Sequence, residues 1–340
     1  MKSPKVTVSI PTCCNRARFL GEAVESVLAQ TREDIEVFVS NNGSTDESAS
    51  LVASFDDPRL QYLILPQPGS MYANLNRCLH LGTAPFVAIC QDDDFWLPNN
   101  LEKLVEMMDL YPDAVLAHAA YRHVDPDGHV LMERNAPRGL TSDTVESGEV
   151  FIRRSMASVN RVNMSSALIR RTALADDRFR KEDDISCDTG LWLRLARRGD
   201  VAFVAQPLTA LRVHPHSVAV IEGSSVPETR SATLHAVRLA QLVKERFLAE
   251  FGYQGKELHE LRMLARRWAQ HELLNMVVRN TSPARSPVAT FKGLRDAVQI
   301  EPSLLGRLRT WRVFLASLVG SRGRRVARRL LRHPRPAAFG

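Results

Sequence analysis

Three consecutive carboxylates, Asp92, Asp93 and Asp94, follow the apolar run FVAIC at 86–90 and precede Phe95, Trp96 and Pro98. Crowded into one loop, they repel one another unless solvent or a cation neutralises them. Oxygen-only donors at a strand end suit Mg2+ or Mn2+, ions that also take phosphate oxygens. A solvated acidic turn has the same composition, so the preceding apolar strand and the following FW pair decide for a ligand. A second polar stretch, NNGSTD, holds Asn41, Asn42, Gly43, Ser44, Thr45 and Asp46. Its side chains can hydrogen-bond a nucleoside, and Gly43 lets the backbone approach closely. An Asx turn opening a helix wants the same residues. A third stretch runs over 11–16, where Thr12 and Arg16 offer a hydroxyl and a charge to a base and a diphosphate. Two further groups stand later in the chain. Asp188 opens CDTGLWLRLARRG, a position that also suits a plain helix cap. Arg212 and His214 lie in LRVHPHS, where the imidazole can ligate a metal or bind diphosphate, and the guanidinium can do the latter.

The elements that position these groups alternate strand and helix. Strands are expected at 5–10, 35–40, 60–65 and 85–90, where β-branched and apolar residues cluster. Helices are expected between them: at 17–30, with Leu20, Val24, Val27 and Leu28 on one face, then at 70–81 and from Pro98 to Tyr111. A helix after Gly43 would take Ser44 or Thr45 as its cap. Repeated βαβ units mean a mainly parallel sheet covered on both faces, with ligands beyond the carboxyl ends of the strands. Those ends are where the stretches at 11–16, 41–46 and 91–96 fall. Residues 123–165 are rich in turn formers and read as loops over a site. A strand resumes at 167–169, an amphipathic helix spans 188–198, and strands at 201–213 break at Gln206 and Pro207. Beyond Pro227 the pattern is helical, at 228–250, 256–279, 287–298 and, in pieces, 303–332.

In order and spacing, these segments resemble the inverting GT-A glycosyltransferases of family 2, over residues 5–218. The family's Pro-x-x-Asn-Arg-like turn is matched by Pro11, Asn15 and Arg16, its Asp-Gly-Ser-Thr-Asp-like turn by residues 42–46, and its metal segment by Asp93, Asp94 and Trp96. The resemblance implies an α/β GT-A fold, Rossmann-like, with a C-terminal α-helical region. It also implies a nucleotide-sugar donor, a UDP-sugar above all, bound by Pro11, Thr12, Asn15, Arg16, Asn41, Gly43, Ser44, Asp92, Asp93 and Arg212. Mn2+ or Mg2+ would be held by Asp93 and His214, and Asp188 would be the general base. Asp183 and Asp184 stand behind it as second candidates and read as solvated loop charges. Two positions depart from the family pattern: Asn41 replaces an Asp that accepts from uracil, and Gln91 replaces the first Asp of the metal segment. The implied reaction is inverting transfer of a sugar to an acceptor hydroxyl, a lipid-linked glycan being one such acceptor, in cell-surface polysaccharide or glycoconjugate synthesis. Other readings are a sugar-phosphate nucleotidyltransferase, whose Gly-rich N-terminal loop is missing, and an inactive nucleotide-sugar-binding protein. A nicotinamide oxidoreductase would need a G-x-G-x-x-G after the first strand, which is absent.

Charge divides the chain of 340 residues. Up to Pro227 there are 23 Lys and Arg against 30 Asp and Glu; after it there are 22 against 8. The expected domains follow that division: a catalytic domain over 1–225, with a nucleotide-sugar half to about 115 and an acceptor half after it, then a basic helical region over 226–340. No acid follows Glu301, while ten arginines do. Leu304, Leu305, Leu308, Trp311, Phe314, Leu315 and Leu318 form an apolar stripe among them. Two readings stand side by side: docking on an anionic bilayer, or a helix packed on the catalytic domain. No recognised motif for nucleic acid accompanies the charge. Five cysteines without a C-x-x-C pair and the lack of an apolar leader are expected of a cytoplasmic protein, peripheral on the inner face of the membrane at most.

Overall fold

The computed structural model describes residues 3–13, 17–65, 67–137, 139–158, 161–214, 230–279, 287–306, 310–311 and 315. The chain forms two compact units, Met1–Ser155 with Asn160–Ser217, and Met156–Val159 with Val218–Gly340. The expected boundary at 225–226 lies outside the described residues, as does the expected helix beyond 315.

In the first unit, β1 (Val6–Thr12), β2 (Ile35–Asn41), β3 (Leu60–Ile64) and β4 (Phe86–Ile89) pair in parallel in the order β3-β2-β1-β4. The sheet continues through β9 (Ala167–Arg170), β6 (Ala114–Val124) and β10 (Asp200–Arg212), ending on the short β5 (Phe95–Trp96). Here the pairing is mixed. β9 runs antiparallel to both β4 and β6, and β6 is parallel to β10. The parallel half fits the βαβ pattern; the mixed half comes from β9, which enters from the opposite end.

Alternation along β1 divides its side chains between two layers. Val6, Val8 and Ile10 join a core with Leu20, Val24 and Val27 of α1 (Ala17–Leu28) and Val52 of α2 (Ser48–Ala53). Leu101, Leu104, Val105 and Met108 of α4 (Asn100–Leu110) complete that layer. Ser9, between them, donates to the Cys78 carbonyl of α3 (Met71–His80) on the other side of the sheet, at 2.9 Å. Each buried Leu or Val side chain contributes about 1.5–3 kcal/mol against exposure, so this layer is the main support of the strand ends.

Residues 123–165 are more regular than their turn-rich composition implies. β7 (Val130–Asn135) pairs with β6, β8 (Thr144–Glu146) pairs with β10, and α5 (Gly148–Met156) follows. A strand on an existing edge gets its hydrogen-bond partners from the neighbour, a non-local gain that composition does not record. The break expected at Gln206 and Pro207 is a bulge in one strand, with register shifts against β6 on both sides of Pro207.

The second unit holds α8 (Arg230–Glu250), α9 (Gly255–Arg279) and α10 (Pro287–Ile300) around Val237, Ala240, Trp268, Ala269, Leu273 and Leu304. Leu305, Trp311 and Leu315 of the expected apolar stripe are exposed, whereas Leu304 is buried in this core. No helix among the described residues is long and apolar enough to cross a membrane.

Candidate active site

The polar stretches at 12, 41–46 and 91–94 meet at the carboxyl ends of β1, β2 and β4. Asn41, buried at the end of β2, accepts the Ser44 N–H at 2.7 Å and donates to the Tyr62 hydroxyl at 2.7 Å and the Ser44 carbonyl at 3.1 Å. Within this Asx turn Gly43 stands at φ 88, where a Cβ would lie 2.5 Å from Pro68. Both the backbone conformation and the close approach therefore require glycine. Asn42 grips Gly69, accepting its N–H at 2.7 Å and donating to its carbonyl at 3.0 Å. Neither Ser44 nor Thr45 caps the helix that follows. Glu47 holds the cap position without a side-chain cap bond, and Asp46 before it accepts the Ser48 N–H at 3.2 Å and its hydroxyl at 2.5 Å, while its other oxygen takes the Ala17 N–H of α1 at 3.1 Å. Burial opposes ionisation of Asp46, but these hydrogen bonds outweigh it and hold the carboxyl below its ordinary range. One carboxylate thus starts two helices, and a local motif search sees only one of them.

Pro11 and Thr12 end β1 opposite Ser40 and Asn41. Thr12 is buried, and its Oγ1 has no hydrogen-bond partner among the described residues, a donor and acceptor left for a ligand. Asn15 and Arg16 lie outside the described residues.

Asp92, Asp93 and Asp94 are all buried, not solvated. Asp94 accepts the Ser165 hydroxyl at 2.5 Å and the Arg212 backbone N–H at 3.0 Å. Burial, with the neighbouring Asp93 carboxylate adding to it, pushes the Asp94 carboxyl well above its ordinary range. Ser165 also accepts the Gln91 N–H at 3.1 Å, and its carbonyl accepts the Trp96 indole N–H at 2.7 Å. It lies in a 3-10 turn (Met164–Ser166) feeding β9, the strand that enters from this end of the sheet. Nothing in the sequence pattern marks it. Its importance comes from β9 lying beside β4.

Asp93 Oδ2 and His214 Nε2 stand 3.1 Å apart, both buried, with the His214 ring against Phe19 at 4.9 Å. Ligands in neighbouring positions of an octahedral ion, each about 2.1 Å from it, are about 3 Å apart, so the pair fits a divalent cation. Arg212, expected to bind diphosphate, points its guanidinium into the protein. Nε donates to the Asp93 carbonyl at 3.0 Å, Nη1 to the Pro126 and Asp125 carbonyls at 2.7 and 3.3 Å, and Nη2 pairs with Glu22. A second acidic cluster, Asp125, Asp127 and His129, is a turn closed by the Asp125 carboxylate, which accepts the backbone N–H groups of Asp127 and His129.

Asp188 sits half-buried in the first turn of α7 (Cys187–Ala196), accepting the Thr189 N–H at 2.6 Å. Tyr121 and His123, on the end of β6, stack at 5.5 Å. Burial pushes the Tyr121 phenol up to about 12, and the charges of Asp188 and Asp94 add to the shift, which puts this ring in the field of both carboxylates. Sequence reasoning missed the pair because it assigned no strand at 114–124. Asp183 is no solvated charge: it is buried and paired with Arg194 at 3.4 Å, while Asp177 takes the same guanidinium at 2.6 Å. Asp184 has φ 51 and ψ −142 and accepts the Tyr72 hydroxyl at 3.2 Å.

Residues 7–169 match the family model for glycosyl transferase family 2. That segment, just under half of the chain, is similar to family 2 glycosyltransferase domains. An uncharacterized glycosyltransferase of Rickettsia prowazekii is 24% identical over 213 residues, 62% of this chain and 65% of that protein. The GalNAc(5)-diNAcBac-PP-undecaprenol beta-1,3-glucosyltransferase of Campylobacter jejuni is 25% identical over 195 residues, 56% of this chain and 60% of its own. The chain therefore spans less than two-thirds of the length of either relative. Among solved structures, S. aureus TarS 1-349 in complex with UDP-GlcNAc is similar with a TM-score of 0.56 at 16% identity, covering 89% of this chain and 92% of that one. The mannosyltransferase PcManGT of Pyrobaculum calidifontis, in complex with GDP-Man and Mn2+, gives 0.54 at 19% identity over 96% and 87%. These likenesses place the fold among GT-A glycosyltransferases.

Proposed function

We propose that the protein is an inverting, metal-dependent glycosyltransferase that moves a sugar from a nucleoside diphosphate onto an acceptor hydroxyl. The observation that carries this reading is the buried Asp93–His214 pair at the ligand end of the sheet, where the Thr12 hydroxyl at the end of β1 also has no partner among the described residues. In this reading Asp93 and His214 hold the ion, which when bound would neutralise charge on the departing diphosphate. Asn41 shapes the base pocket through its Asx turn and keeps one lone pair for a ring N–H, and a UDP-sugar is the favoured donor. Thr12, Gly43 and Ser44 line the same pocket, with Asp92 reaching the ribose. Asp188 accepts the proton of the acceptor hydroxyl as that oxygen attacks the anomeric carbon from the face opposite the nucleotide, a contribution of about 10²–10⁴-fold. Inversion needs no second carboxylate as nucleophile.

The UDP-GlcNAc complex of TarS and the Mn2+ complex of the mannosyltransferase support the donor and the ion; the Campylobacter relative's undecaprenol-linked acceptor supports a lipid-linked glycan. Exposed Leu305, Trp311 and Leu315, with the arginines beyond them, would bring the protein to an anionic membrane surface from the cytoplasmic side. Asp93→Ala should abolish Mn2+-dependent stabilisation by UDP-sugars in a thermal melt, with the unliganded melt preserved. Unchanged metal dependence would refute the site. Removing residues from 303 onward should weaken binding to anionic liposomes and spare donor hydrolysis; equal binding by the shortened protein would refute the membrane role.

A further inference from the structure

We infer that Arg212 is a positioning residue which, with Glu22, sets the geometry of Asp93 and His214, and that it does not bind the donor diphosphate. This inference rests on the metal reading of the Asp93–His214 pair.

A phosphate-binding arginine needs N–H groups aimed at open space. Those of Arg212 are turned to protein on every side. Its backbone N–H holds Asp94 Oδ1, and its Nε holds the carbonyl of Asp93 itself. The Nη1 bonds reach the carbonyls of Asp125 and Pro126 in the β6–β7 turn. Nη2 pairs with Glu22 on α1, a residue 190 positions away in the chain. The guanidinium plane also lies 4.8 Å from the Phe19 ring and 5.5 Å from Phe95. Phe19 is the ring on which His214 rests.

One side chain therefore ties together α1, the acid loop and the β6–β7 turn, and its own strand ends two residues before His214. The carboxylate of Asp93 and the imidazole of His214 come from loops 121 residues apart, and Arg212 bonds or contacts the support of each. A planar guanidinium can satisfy such a divergent set of acceptors at fixed angles; an ammonium cannot. Glu22 is partly exposed, with 47% of its side chain accessible, so changing it perturbs the strut from outside the core.

The test uses the full chain and two titrations, Mn2+ alone and UDP with saturating Mn2+, by calorimetry. Arg212→Lys and Glu22→Gln should each weaken Mn2+ binding, Arg212→Lys by about 10–100-fold as for other residues that orient metal ligands. UDP affinity at saturating Mn2+ should stay within a few-fold of wild type. Loss of UDP affinity in Arg212→Lys with Mn2+ affinity unchanged would make the arginine a diphosphate ligand and overturn the inference. Wild-type Mn2+ affinity in both variants would overturn it as well. Glu22→Gln provides the answer if Arg212→Lys fails to fold. Asp93→Ala, titrated beside them, separates the two levels: if it still binds Mn2+ normally, the metal site itself is misplaced.

Discussion

Two loops at the ligand end of the sheet are built in opposite ways. Residues 91–96 are clamped: Ser165 holds Gln91 and Asp94 with its hydroxyl and Trp96 with its carbonyl, and Arg212 holds Asp93 and Asp94. The segment before Asp188 is strained instead. Asp184 sits at φ 51 and ψ −142, a conformation that costs a non-glycine residue about 1–3 kcal/mol. The difference suits the two roles proposed for these loops. A ligand for a metal works best when its geometry is fixed before the ion arrives. The base proposed at Asp188 must accept a proton from a substrate that comes and goes, and this residue is half-exposed and accepts from its neighbour Thr189.

The largest break in this contrast should come from Asp188→Asn. Asparagine keeps the volume and can still accept the Thr189 N–H, so stability should hardly change. Transfer should fall by at least about 10²-fold with donor affinity intact, read from initial rates with a matched acceptor and from UDP titration. A normal rate would remove Asp188 from the proposed mechanism and direct attention to Asp184, because Asp183 is committed to Arg194. Next comes Ser165→Ala, which removes the donor to buried Asp94 and the acceptor for the Gln91 N–H. A loss of about 1–3 kcal/mol in denaturant unfolding is expected, the cost of leaving buried polar groups unsatisfied. A change under about 0.5 kcal/mol would mean the loop is not clamped there. The smallest effect should be that of Asp184→Gly. Relief of strain exceeds the entropy that glycine adds to the unfolded chain, for a net gain of about 0.5–1 kcal/mol. Destabilisation instead would show that the Tyr72 hydrogen bond outweighs the strain.

Much of the site was legible from residue order because its parts are local. An apolar strand followed by QDDDFW, or a strand followed by NNGSTD, carries its meaning within about ten residues. The Asx turn at Asn41 and the positive φ of Gly43 follow from the same short stretch. Periodicity placed the strands that end at these loops and the helices that cover one face.

What lay beyond the sequence's reach was every contact set by sheet register. β9 beside β4 brings Ser165 under the acid loop, and β10 beside β6 carries Arg212 to the turn at Asp125. Single residues of ordinary type acquire roles there only because strands distant in sequence pair. The same reason explains why the sequence does not reveal where the Arg212 guanidinium points. Its charge and its place near a histidine are sequence properties, but the direction of a guanidinium depends on which acceptors the fold has left in reach. Chain order thus determined the strands and the polar loops that end them. Tertiary structure alone decided which of their side chains hold one another, because local preference extends a few residues while hydrogen bonds across a sheet link positions more than a hundred apart.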